Sequence, residues 1–172
     1  MGYTEDLSGL TSPVLLKTER KITNLGSARI GSGLLPVGTV LLSSRAPIGY
    51  LAITQMPVAV NQGIIAMVCD KNISNLFAWL WTEANMGVIK QKANGSTFQE
   101  ISKSSFRPIP IILPPMVTLA SFDTMVQPLY KKILVNEIAS ASLAEMRDLL
   151  LPALLSGEVG IRDAERAVET VL

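Results

Sequence analysis

The feature that most constrains this chain is a change of hydrophobic period at Pro114–Pro115. From about Met116 to Ser156, the residues Leu119, Phe122, Val126, Leu129, Ile133, Asn136, Ser140, Leu143, Arg147, Leu150 and Leu154 recur at alternating steps of three and four. That spacing is a heptad seam, and eight of its positions are apolar. A helix rises about 1.5 Å per residue. A helix carrying this seam is therefore expected to project from so small a protein and to pair with another helix. Polar residues at Asn136, Ser140 and Arg147 interrupt the seam, and such positions set register and partner number. Pro128 and Pro152 each lack a backbone donor, so kinks are expected there. Gly157 is a natural stop, and Asp163–Leu172 is expected to form a short amphipathic helix.

Ahead of the prolines the pattern is different. Thr39–Ser44, Ile48–Ile53 and Gly63–Cys69 are β-rich runs bounded by Gly, Pro and Asn. Their nearly unbroken apolar character predicts strands buried on both faces. Ile73, Leu76, Phe77, Leu80, Trp81, Ala84 and Val88 then predict a helix over 73–91 with Asn72 as its N-cap. Asn94–Gly95 signals a turn, 97–101 a short strand or turn, and Ser102–Ser105 a tight polar bend. Arg107–Leu113 reads as extended, confined to a sheet edge by Pro108 and Pro110. The fold class expected is α+β: a β-rich domain over 1–115, a long helix over 116–157 and a tail over 158–172.

Composition removes several function classes. Histidine is absent and Cys69 is the single cysteine. A disulfide framework, a Ser–His or Cys–His nucleophile pair and a cysteine-rich zinc site are therefore excluded. Cys69, at the end of an apolar run, is expected to be an inert buried thiol. Aromatics make up 5% of the chain, too few for a surface that stacks on single-stranded bases. Trp79 and Trp81 are expected to pack. The stretch 46–69 carries no charge, yet Pro47, Gly49, Pro57 and Gly63 break it well short of a spanning helix. With no basic, apolar leader in MGYTEDLSGL, the chain is expected to be cytoplasmic and to have no membrane partner. Net charge is +1, but residues 1–115 carry +4 and residues 116–172 carry −3. A basic front and an acidic back suggest a polyanion-facing globule and a protein-facing tail.

Five ordered blocks then stand out: SSRAPIG (43–49), VNQG (60–63), GSTFQEIS (95–102), IPIILPP (109–115), and MRDLLLP (146–152) followed by LLSGE (154–158). Together they resemble the specificity subunit of type I restriction-modification enzymes. The resemblance implies a target recognition domain that reads one half of a bipartite duplex target, and a conserved helix that spaces the halves. It also implies that catalysis and its cofactors belong to partner chains. A modification (methyltransferase) subunit would bind S-adenosylmethionine, and a restriction subunit would bind ATP and magnesium. The chain itself is expected to be non-catalytic, with no cofactor or metal of its own. One recognition domain and one helix correspond to half a subunit, whose second half comes from another copy or a longer chain. Tyr3–Leu10 matches a point some tens of residues into the family's recognition domain, so the domain is expected to be partial at its N-terminus.

Groove and phosphate contacts need Arg, Lys, Asn, Gln, Ser or Thr on loops. Three groups supply them. The first is Lys90, Lys92, Asn94, Ser96 and Thr97, where a helix end meets a polar turn; its bland reading is a solvated helix C-terminus favoured by the dipole. The second is Arg20, Lys21, Asn24 and Arg29, which could equally be a plain surface loop. The third is Arg45, Asn61 and Gln62, in blocks shared by proteins with different targets, and so expected to hold the scaffold or touch phosphate rather than choose bases. Ser43 and Ser44 are expected to be structural. Two other readings stay open. One is a half-subunit that only assembles through its helix, with no DNA readout. The other is a small enzyme using carboxylates such as Glu83 or Glu100, although nothing in the sequence places that pair together.

Overall fold

The computed structural model describes residues 2, 4–31, 33–69, 73–95, 99–163 and 166. The chain divides into two compact units, Met1–Pro128 and Leu129–Leu172. In chain order the elements are α1 (Thr4–Ser8), β1 (Val14–Leu15), α2 (Asn24–Ala28), β2 (Val40–Ser43), β3 (Leu51–Thr54), β4 (Ile64–Met67), α3 (Asn75–Ala84), α4 (Met86–Gln91), α5 (Lys103–Phe106) and α6 (Met116–Leu155).

The four strands form one mixed sheet in the order β1-β3-β2-β4. β1 runs parallel to β3, while β2 is antiparallel to both β3 and β4. The register places Leu41 opposite Ala52 and Ala66, and Leu42 opposite Leu51 and Ile65. Side chains alternate between faces along a strand, and β2 shows the consequence. Leu41 enters a cluster with Leu7, Leu15, Ala52, Val58 and Ile64 on one side. Leu42 enters a second cluster with Ile48, Ile65, Ile89, Ile101 and Ile109. Every residue of β2 is buried, so both faces are covered as the apolar run predicts.

Several local expectations change. β3 starts at Leu51 rather than Ile48, because 46–49 turn back toward Ser43. The helical run over 73–91 is two helices, α3 and α4. Asn85 lies between them, at φ −99° and ψ 13°, with its side-chain amide donating to the Trp81 carbonyl at 2.8 Å. The N-cap of α3 is Ser74, whose Oγ accepts from Phe77 N–H at 3.2 Å; Asn72 lies outside the described residues. Ser102 caps a short helix, α5, where a bend was expected. Arg107–Leu113 is not a strand. The N–H groups of Arg107 and Ile109 turn back to Lys103 and Phe106, both at 3.0 Å, and the prolines beside them have no donor to offer a sheet. Cys69 is half-buried rather than buried. Trp81 packs against the second cluster, in keeping with a packing role. Most of the expected tail helix after Asp163, like the outer part of the 97–101 run, falls outside the described residues.

α6 is a single helix of 40 residues. Its first turns belong to the first unit and are already committed there. Leu119 is buried. Phe122 sets its ring edge-on to Phe77, with centroids 5.7 Å apart and planes at 88°. Ser74 Oγ donates to Asp123 Oδ1 at 2.5 Å, joining the helix to the cap of α3. Leu119 is therefore a core residue of the globule, and the half-buried Phe122 packs on Phe77 rather than standing as an open seam position. Beyond Pro128, Leu129 (66%), Ile133 (38%) and Leu143 (37%) are exposed. So are Val135, Ile138, Leu149 and Leu151, which lie off the seam, so apolar side chains occupy more than one face. Gly157 ends the helix at φ +75°. Among the described residues no helix is long and apolar enough to cross a membrane.

Candidate nucleic-acid interface

The β2–β3 turn is organised by one buried hydroxyl. Ser43 Oγ accepts from the N–H groups of Gly49 (3.1 Å) and Tyr50 (2.8 Å) and donates to the Pro47 carbonyl (2.8 Å). Arg45 sits near the start of this turn. Gly49 closes it at φ +123°, a conformation L side chains rarely adopt. A Cβ built there would lie 3.3 Å from Met86 Sδ and 3.4 Å from Lys90 Cε. The bare glycine thus lets the end of α4, with Lys90, lie against the turn.

A second turn approaches from the other side. Asn61 Oδ1 accepts from Gly63 N–H at 3.0 Å, and the Gly63 carbonyl accepts from Ser44 N–H at 2.9 Å. Gly63 again leaves room for a basic residue, since a Cβ on it would come within 3.2 Å of Arg45 Nε. The third strand of polypeptide is the return from α4. Asn94 and Glu100 exchange two backbone hydrogen bonds of 2.9 Å, and Ile101 N–H donates to the Ser44 carbonyl at 3.0 Å. This brings Glu100 opposite Arg45, with the guanidinium 3.7 Å from the carboxylate.

The fold therefore merges the first and third groups into one face. Arg45, Asn61, Lys90 and Asn94 come from separate stretches of sequence and share one set of contacts. Lys92 caps the C-terminus of α4, and Gln62 is exposed at the tip of its turn. Ser96 and Thr97 lie outside the described residues. The second group, Arg20, Lys21, Asn24 and Arg29, is exposed around α2 and takes no part in these contacts. Asn61 has its side-chain carbonyl engaged by the Gly63 N–H.

Beneath the face three isoleucines enter the same cluster. Ile48 comes from the turn of Arg45, Ile89 precedes Lys90, and Ile101 follows Glu100; all three pack with Leu42. The positioning residues Ser43, Gly49, Gly63 and Glu100 escaped the sequence reading as parts of a site. The Asn-x-Gly spacing at 61–63 and the glycine at 49 were the available signals. Glu100, weighed only as a catalytic acid, faces Arg45 instead of a second carboxylate. Among the described residues, no three or more Cys, Asp or Glu side chains gather into a metal-binding group.

Two neighbouring serines give opposite expectations. Ser43→Ala removes the acceptor of two backbone N–H groups and should lower the unfolding free energy by about 1–3 kcal/mol. Ser44 Oγ is buried with no hydrogen-bond partner among the described residues. Ser44→Ala should leave stability unchanged or raise it by up to about 1 kcal/mol. Urea unfolding of both variants checks this, and equal losses would contradict the geometry.

Comparison with known proteins gives a consistent result. A family model described as "Type I restriction modification DNA specificity domain" matches residues 4–124. The specificity subunit of the type I restriction enzyme HindI from Haemophilus influenzae is 29% identical over 148 residues, which is 84% of this chain and 32% of that protein. The MjaIX specificity subunit from Methanocaldococcus jannaschii is 30% identical over 151 residues, covering 83% of this chain and 34% of its own length. The chain thus spans about a third of the length of these curated relatives.

Proposed function

The chain belongs to the type I restriction-modification DNA specificity family, and on that premise we propose that residues 1–115 contact one half of a split duplex DNA target. Residues 116–157 act as spacer and pairing helix, followed by the tail over 158–172. The chain is non-catalytic in this reading and cytoplasmic. Methyltransferase and restriction subunits dock to it, and S-adenosylmethionine, ATP and magnesium bind to them.

The observation that carries the reading is the shared face. The β2–β3 turn, the 61–63 turn and the end of α4 with its return are held together and present Arg45, Lys90, Lys92 and Asn94. Cations and amide groups on rigidly supported loops suit phosphate contact and groove approach. The surplus of positive charge in residues 1–115 adds a weak attraction to a polyanion.

Titrating a duplex fragment at several salt concentrations tests this. Each phosphate contact contributes about 0.9 to the slope of log affinity against log salt. Lys90→Ala with Lys92→Ala should therefore flatten the slope by up to about 1.8. An unchanged slope in a folded variant excludes these lysines from the DNA face. No salt-dependent binding by the parent chain favours the second reading, a half-subunit that works in assembly alone.

A further inference from the structure

We propose that Glu100 occupies on Arg45, in the free protein, the position that a DNA backbone phosphate takes when duplex binds. The inference deepens the reading above and rests on it.

Glu100 is held from both sides by main chain. Its N–H and carbonyl are both bonded to Asn94 at 2.9 Å, and the next residue, Ile101, is tied to Ser44 and is buried. The carboxylate is thus delivered to one place by the backbone. Arg45 is delivered just as firmly, by the Ser43-centred turn and by the open surface of Gly63. The ion pair between these two fixed points is itself loose. The separation is 3.7 Å, and the side chains are 40% and 46% exposed. A guanidinium recognises carboxylate and phosphate oxygens with the same donors, and binds them best in a close bidentate geometry. The present pair falls short of that geometry and faces solvent, so an incoming phosphate can displace the carboxylate. Until then, the carboxylate keeps the guanidinium oriented and offsets its charge. Glu100 is thus a positioning residue that also weakens casual polyanion binding.

The test is a double-mutant cycle on the 172-residue chain, with a duplex DNA fragment at low salt as the probe. Glu100→Gln preserves the backbone bridge and the side-chain shape. It should tighten binding about two- to five-fold, the range an exposed ion pair allows. In an Arg45→Ala background the same change should give no gain beyond that of Glu83→Gln, an exposed carboxylate outside this contact set. Thermal unfolding of each variant confirms that the fold is kept. If Glu100→Gln tightens binding equally with and without Arg45, or never tightens it, the placeholder role is overturned while the DNA reading stands. If neither the parent chain nor Glu100→Gln binds duplex, both readings fall.

Discussion

Ile101→Ala should cost about 2–5 kcal/mol of stability and disturb the candidate face more than any surface change. Ile101 is 1% exposed and lies in the cluster formed by Leu42, Ile48, Ile65, Ile89 and Ile109. Truncating it removes buried apolar area and leaves a cavity that rigid strand neighbours cannot fully close. A domain of this size holds only about 5–15 kcal/mol in total, so the loss is a large fraction of the whole. Ile101→Val, which removes one methyl group, should cost about 0.5–1.5 kcal/mol. Ile101 N–H also bonds to Ser44, and Glu100 precedes it, so the loosened residue lies between the two loops that meet at Arg45. Urea unfolding measures the stability, and proteolysis between Asn94 and Glu100 reports the local effect. If both variants were as stable as the parent, the isoleucine cluster would not be the foundation of this face.

The second large effect concerns α6. Changing Leu129 and Ile133 together to Asp should convert a dimer into a monomer, halving the molar mass seen by light scattering at micromolar concentration. Both side chains are exposed in the single chain, at 66% and 38%. Leu143 is exposed one seam stretch later. Fully burying one such side chain from an exposed position is worth about 1.5–3 kcal/mol, so several from both helices are needed to offset association costs of about 4–15 kcal/mol. The seam open for pairing starts at Val126, because Leu119 and Phe122 are already used in the globule. The expected partner is an antiparallel helix, from a second copy or the other half of a longer subunit. A compact monomer at every concentration, with unchanged stability in the double variant, defeats the pairing.

What the sequence determined by itself is what depends on neighbours along the chain. The apolar runs at 39–44 and 63–69 became β2 and β4, and the seam after Pro115 became α6, because strand and helix periods are properties of consecutive residues. The ordered blocks, read together, were enough to place the family. What only the tertiary structure decided is what depends on residues far apart. It split the 73–91 helix at Asn85, where a side chain took up the Trp81 carbonyl. It turned the N–H groups of Arg107 and Ile109 back onto α5 instead of extending a sheet edge. It also joined Arg45, Asn61, Lys90 and Asn94 in one face and set Glu100 against Arg45. Those residues come together through hydrogen bonds and packing across three loops. Such contacts leave no periodic trace, because each loop is specified by its own turn chemistry and their meeting is specified by the shared core beneath them.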